Sequence, residues 1–349
     1  MTNPIPPVEA REFCRRTLPR VSRTFALNIE LLSGSFRDAV RVAYLLCRAA
    51  DTIEDRWSGS ADEIEARFDA FAAALAGDDA AAAAVAMAAG GGVDTPAHAA
   101  GGGRHPDTDF DLLAHLPLVL AAHRDLEPGD RDAVAEGVRT MAEGMRRYAA
   151  RAARRGADVC YVDDEAELHD YCWIVAGCVG AMLTKLHERR AGPESLEIRE
   201  RRRQLAPKVG EALQLTNILL DWPTDVRRGR CYLPATWLSR LDLTPKDLAG
   251  GDAPAARELA LRLEALAHAA LDQVADYLDT IGARHVRYRL FCLWPALWAR
   301  ASIRIAHADP RFPLLGRPKL TRAQLWGVAA RSLLVLHSRA ATRRLLARA

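Results

Sequence analysis

Gln214-Leu-Thr-Asn217-Ile-Leu-Leu-Asp221-Trp-Pro-Thr-Asp225-Val-Arg-Arg-Gly-Arg230 is an apolar run with two carboxylates four residues apart. An amide stands four residues before the first carboxylate, and arginines follow the second. On a helix, positions i, i+4 and i+8 lie along one side. Asn217, Asp221 and Asp225 are therefore predicted to form a row of oxygen ligands, spaced roughly 6 Å apart by the helical rise. A second row lies far upstream, in Arg48-Ala-Ala-Asp51-Thr-Ile-Glu-Asp55. There Arg48, Asp51 and Asp55 share a face at i, i+3 and i+7. Acidic rows on apolar helices, each beside arginine, point to hard cations meeting a phosphate. Magnesium takes oxygen ligands, often one or two carboxylates together with substrate phosphates. Arginine grips phosphate through two N–H groups at once, which suits Arg48, Arg228 and Arg230.

Composition sets the frame for those rows. The chain has 349 residues, half of them apolar, so a sizeable core is available. Ala and Leu dominate while β-branched and aromatic residues are sparse, which favours an all-α fold. With 48 basic and 45 acidic residues, the charge is too balanced to imply nucleic acid. Seven scattered cysteines without a C-x-x-C pair argue against a disulfide framework or a zinc site. The Pro-rich, then charged, N-terminus is unlike a signal peptide, and no apolar run reaches the roughly 18–20 residues of a membrane span. A cytoplasmic protein is expected, peripheral at the inner membrane if its basic end binds lipid, and monomeric.

Helical spacing is read over 13–31, 36–50, 61–75, 110–122, 130–153, 165–188, 194–222, 253–281, 285–309 and 321–348. A single domain over 1–349 is predicted. Residues 77–109, an Ala run with two Gly triplets, read as a low-complexity surface loop carrying a frayed Ala helix. The glycines spell neither G-x-G-x-x-G nor a P-loop. The helix over 36–50 is apolar nearly all round and should be buried, so the carboxylates at its end need compensating cations. Small residues Ala176, Gly177, Gly180 and Ala181 imply close backbone approach inside a helix. Pro223 removes one helical hydrogen bond and predicts a kink near Leu219. The segment 320–349 alternates Trp326, Leu333, Leu334, Leu345 and Leu346 with six arginines, a basic amphipathic pattern suited to an anionic membrane surface or to simple packing.

Two other classes compete at this point. His169-Asp170 resembles the dyad of helical metal phosphohydrolases, but the other histidines do not group with it. A basic membrane-surface protein without chemistry is the third reading.

The ordered motifs Val21-Ser-Arg-Thr-Phe25, Tyr44 to Asp55, Tyr171-Cys-Trp-Ile-Val-Ala-Gly-Cys-Val-Gly180, Gln214 to Asp225, Gly229-Arg-Cys-Tyr-Leu-Pro234 and Phe291-Cys-Leu-Trp-Pro295 resemble the squalene/phytoene synthase family from about Phe13 to Trp326. The resemblance implies an isoprenoid (terpenoid) synthase helical bundle with a central apolar cavity, joining two allylic diphosphates head to head. It implies that Asp51, Glu54 and Asp55, with Asp221 and Asp225, hold two or three magnesium ions. Ser22, Arg23, Phe25, Arg48, Gln214, Asn217 and Arg230 match substrate- or cofactor-binding positions. Tyr171, Phe291 and Tyr44 match catalytic aromatics. Asp-Thr-Ile-Glu-Asp and Arg289 to Pro295 look more like squalene synthases, which reduce a cyclopropyl intermediate with NADPH. Gly229 to Pro234 looks more like phytoene-type enzymes. Leu220 stands where the family commonly has an arginine linked to diphosphate or cofactor contact. Squalene from two farnesyl diphosphates is the expected product, and dehydrosqualene or phytoene without reduction is the alternative.

Overall fold

The computed structural model describes residues 5–90, 106–156, 158–251, 253–309, 311–313, 320–335 and 338–348. Among them the regular elements are helices, and the only β pairing is an isolated parallel bridge between Cys160 and Cys231. The all-α expectation holds. All seven cysteines are free thiols. The chain forms two compact units, Met1–Arg154 and Arg155–Ala349.

In the first unit the helix expected over 13–31 is two: α1 (Pro7–Val21) and α2 (Arg23–Ile29). The break is chemical. Ser22 leaves the helical region and its hydroxyl accepts from Phe25 N at 3.2 Å, capping α2. α3 (Gly34–Asp55) runs on through the whole first acidic motif. It packs against α1, α2, α4 (Ala61–Leu75), α6 (Pro106–Ala114) and α7 (Leu116–Arg124), which makes it the hub of this unit. The Ala run is a helix, α5 (Asp79–Gly90), tied down by Ala82 and Val85. The rest of the expected loop, 91–105, lies outside the described residues until Pro106 opens α6. α8 (Pro128–Arg155) follows.

The second unit is built on α11 (Leu196–Arg227). It packs against α9 (Glu165–Cys172), the π-helical turn Trp173–Gly177, α10 (Cys178–Glu188), α13 (Pro245–Ala249), α14 (Ala253–Asp279) and α15 (Val286–Ala308). α12 (Ala235–Ser239) is a short helix before α13. The small residues explain how the π-turn and α10 seat on α11. A Cβ on Gly210 would overlap the Ala176 carbonyl oxygen, and one on Gly180 would overlap that of Ala206. α11 continues through Pro207 and Pro223. The C-terminal segment is two helices, α16 (Arg322–Val335) and α17 (Arg339–Arg348).

Candidate functional site

The first acidic row is the wet stripe of a dry helix. Along the last three turns of α3, Tyr44, Arg48 and Asp51 are half-buried and Asp55 is exposed, while Leu45 to Cys47, Ala49, Ala50 and Thr52 to Glu54 are buried. The spacing 4-3-4 is that of one helix face. Glu54, expected beside Asp51 and Asp55, lies off this stripe and is 4% exposed.

Arg48 organises the charges. Its Nη1 donates to Asp51 Oδ2 at 2.5 Å. Its Nε and Nη2 donate to Asp109 Oδ1 and Oδ2 at 3.1 and 2.8 Å. Arg56 adds a third donor to Asp109, at 3.3 Å. Burial works against the Arg48 charge, but Asp51 and Asp109 outweigh it and hold the guanidinium above its ordinary value. Thr52 Oγ1 donates to the Arg48 carbonyl at 2.7 Å. At the start of α2, Ser22 is buried and Arg23 exposed. Phe25 lies against Tyr44, with ring centroids 5.3 Å apart.

The second row has the same construction. On α11, Gln214, Asp221 and Asp225 are half-buried and Asn217 is exposed, whereas Leu215, Thr216, Ile218 to Leu220, Trp222, Pro223 and Val226 are buried. α11 stays helical through Pro223. The helix then stops in a turn: the Asp225 carbonyl accepts the backbone N–H groups of Arg228 and Arg230, both at 2.9 Å. Arg227 and Arg228 are exposed and Arg230 is half-buried.

An aromatic tier stands beside that turn. Tyr161 donates its backbone N–H to the Cys231 carbonyl at 2.7 Å. This places Tyr161 against Tyr232 at 4.6 Å, and Tyr232 stacks on Tyr171 at 5.2 Å and 25°. Tyr171 is 3% exposed. On α15, Phe291 is buried and stacks on Tyr288 at 6.0 Å. His169 of the expected dyad pairs with the buried Glu211 on α11, and Lys208 Nζ donates to the same carboxylate at 2.9 Å. The hydrogen bond to Glu211 raises the His169 pKa. Burial pushes Glu211 up, but His169 and Lys208 outweigh it and leave it below the carboxylate norm. Asp170 has no place in that pair, so the dyad reads as a tie between α9 and α11.

Two residues escaped the sequence reading. Asp109 fell at the edge of the presumed loop; its only signal is a carboxylate opening the apolar run from Phe110. Tyr232 stood inside a quoted motif, but its partner Tyr161 carries no spacing signal. A groove of about 750 Å³ lies elsewhere in the first unit, lined by Leu18, Glu30, Arg37 and Arg41 among others. It sits at the opposite end of α3 from Asp51, and Arg41 is already paired with Glu30 at 2.8 Å and Asp38 at 2.7 Å. We do not assign the chemistry to it.

Comparison with known proteins agrees with this architecture. A profile described as Squalene/phytoene synthase matches residues 18–324. Squalene synthase 1 of Arabidopsis thaliana is 34% identical over 233 residues, which is 66% of this chain and 49% of that protein. The match thus spans about half the length of that relative. A solved complex of TcSQS with the ligand E5700 has a TM-score of 0.75 at 26% identity, covering 97% of this chain and 89% of that one. A dehydrosqualene synthase crystallised with a ligand shares the fold, with a TM-score of 0.63 at 21% identity over 95% of this chain and 98% of that one. The fold is the all-α bundle of the terpenoid synthases. The chain belongs to the squalene/phytoene synthase family.

Proposed function

We propose that this protein is a magnesium-dependent prenyl transferase that joins two farnesyl diphosphates head to head, giving presqualene diphosphate and then squalene with NADPH. The observation that carries the reading is that both acidic rows form the wet stripe along the otherwise mostly buried last turns of their helices. Each row also runs to a helix C-terminus, where the helix dipole is negative and favours cations. Among the described residues no three His, Cys, Asp or Glu side chains form a metal cluster. Magnesium beside phosphate is usually held by one or two carboxylates, with phosphate and water oxygens completing the set, and each row offers two aspartates of that kind. We assign Asp51, Asp55, Asp221 and Asp225 to it, with Glu54 behind them.

The chemistry supplied by bound magnesium is neutralisation of the charge on the departing diphosphate. The remaining work falls to side chains. Arg48 and Arg230 meet phosphate oxygens, with Ser22, Arg23, Gln214 and Asn217 as further polar contacts. Tyr171, backed by Tyr232, offers an aromatic face to the allylic cation and shields it from water. Phe25 and Tyr44 are assigned as further aromatic faces, and Phe291 to the second rearrangement.

One observation favours a second reading, in which dehydrosqualene forms without reduction. Leu220, at the position the family commonly gives to arginine, is fully buried and offers no charge to a dinucleotide phosphate. Incubation with farnesyl diphosphate and magnesium, with and without NADPH, separates the two. Squalene only with NADPH is expected; a product indifferent to NADPH overturns the reductive step. Turnover of geranylgeranyl diphosphate alone favours phytoene.

A peripheral contact with anionic lipid belongs to the same proposal. No helix among the described residues is long and apolar enough to cross a membrane. Residues 320–349 hold six arginines and no Asp or Glu. On α16, Trp326, Leu333 and Leu334 are 55, 54 and 85% exposed. The opposite face is packed, with Trp294 Nε1 donating to Ser332 Oγ at 2.9 Å. Arg343 is paired with Asp276 and Asp279, at 2.7 and 2.5 Å, so Arg331 and Arg344 are the better lipid contacts. Trp326→Ser with Leu334→Ser is expected to weaken sedimentation with phosphatidylglycerol vesicles; unchanged binding removes the contact.

A further inference from the structure

We infer that Asp109 is a positioning residue that acts through Arg48 to hold the first acidic row ready for a diphosphate. The inference rests on the proposed roles of Arg48 and Asp51. Asp109 lies on α6, is 3% exposed, and sits outside every motif that carries the family resemblance.

The geometry divides the Arg48 guanidinium into two working edges. The Nε/Nη2 edge is clamped on both oxygens of Asp109, at 3.1 and 2.8 Å. A two-point contact fixes the plane of the group as well as its place. The remaining Nη1 points to Asp51 Oδ2, at 2.5 Å. A long, unanchored arginine would have only Asp51 to pair with and would close both of its forks on that carboxylate. It would then compete with an incoming cation for both Asp51 oxygens. With Asp109 in place, Arg48 touches Asp51 through a single nitrogen. The bond from Arg48 falls on one Asp51 oxygen, and the two side chains stay open to a ligand, at 27 and 29% exposure.

The charge balance supports the same division. Asp109 is a buried carboxylate between Arg48 and Arg56, one turn to either side of Thr52. A buried carboxylate is tolerated because both neighbours are cations and its oxygens are filled. Arg56 reaches Asp109 through one donor at 3.3 Å, so the two-point clamp on Arg48 is the stronger of its two contacts.

A double-mutant cycle tests this, read by calorimetric binding of inorganic pyrophosphate with magnesium and by the KM and kcat for farnesyl diphosphate. Asp109→Asn removes the charge at constant shape and is expected to weaken pyrophosphate binding and raise KM by about tenfold. In an Arg48→Ala background the same change is expected to have no further effect, because its route is gone. If Asp109→Asn does not fold, Asp109→Glu carries the cycle: a smaller, severalfold loss that again vanishes without Arg48. Equal losses with and without Arg48, or a lowered melting temperature with unchanged pyrophosphate affinity, would overturn the inference and leave Asp109 as a helix tie. If Arg48→Ala itself binds pyrophosphate normally, the assigned role of Arg48 fails, and the positioning inference falls with it.

Discussion

The ends of α3 and α11 solve one problem in two ways. Each helix is the hub of its own unit, and over its last turns each is dry on most of its circumference and lets a polar row out along one face. On α3 the carboxylates are balanced by side chains of the same unit: Arg48 pairs with Asp51, and Asp109 holds Arg48 and Arg56. On α11 the row begins with amides, and the arginines lie at and beyond the helix end, from Arg227 into the turn where the Asp225 carbonyl holds Arg228 and Arg230. The first row's charges are thus held from another helix of its unit, α6, whereas the second row's arginines are carried by the chain that directly follows it. A row held by a partner on another helix should lose its geometry in a large step when that partner is removed; a row whose cations follow it in the chain should lose it more gradually.

The comparison is broken most severely at the aspartates themselves. Asp51→Asn and Asp221→Asn are each expected to slow pyrophosphate release from farnesyl diphosphate by about 100-fold or more, with the circular dichroism spectrum unchanged. Steady-state assays of purified variants check this, and native rates in either would take that row out of the chemistry. Asp225→Asn, in the last turn of α11, is expected to cost less, about tenfold, because the turn arginines remain. A loss as large as that of Asp221→Asn would show that the following arginines do not cushion the second row.

A purely structural prediction concerns the seat of the second row. Gly210→Ala places a methyl group against the Ala176 carbonyl. It is expected to destabilise the second unit by about 1–3 kcal/mol in urea unfolding, while the end of α3 keeps its ion pairs. A neutral effect would mean that α11 and the π-turn are not held at this distance.

The smallest effect is expected at His169. Its pKa is raised by Glu211, so the protonated form is favoured in the fold. The stabilisation is complete below the ordinary imidazole value of 6.5 and disappears as pH rises through the higher folded value. Glu211 has the opposite sign: its share is present above 4.5 and fades as pH falls through its lowered value. Melting temperature measured against pH should therefore fall on the alkaline side in the native protein and lose that slope in His169→Gln. Because His169 is 40% exposed, the change should be small. An identical slope in the variant would mean that another group supplies it.

Much of this was legible in the residues. The rows at Asp51/Asp55 and Asp221/Asp225 were readable because an apolar helix interrupted by carboxylates at helical spacing has one face on which they can lie. Their placement on half-buried and exposed stripes follows from that periodicity. Glu54 was grouped with them by motif, yet it sits 100° of helical rotation from Asp55 and is buried. The Ser22 break was partly visible, since a cap residue interrupts an apolar run there, but helical spacing alone ran the helix through it. Asp109 and Tyr161 were not legible. Their roles arise from partners 61 and 71 residues away, Arg48 for the first and Tyr232 for the second, and no local pattern announces a long-range pair. Pro223 was expected to kink the helix near Leu219; the segment stays helical through it to Arg227, with Asp225 half-buried.

The most direct test is calorimetric titration of magnesium into the protein in the presence of a non-ionising thio-analogue of farnesyl diphosphate. The account predicts that more than one magnesium ion binds per analogue, that magnesium binds weakly without it, and that both Asp51→Asn and Asp221→Asn abolish the binding. Tight magnesium binding that needs no diphosphate, or that survives either substitution unchanged, would contradict it.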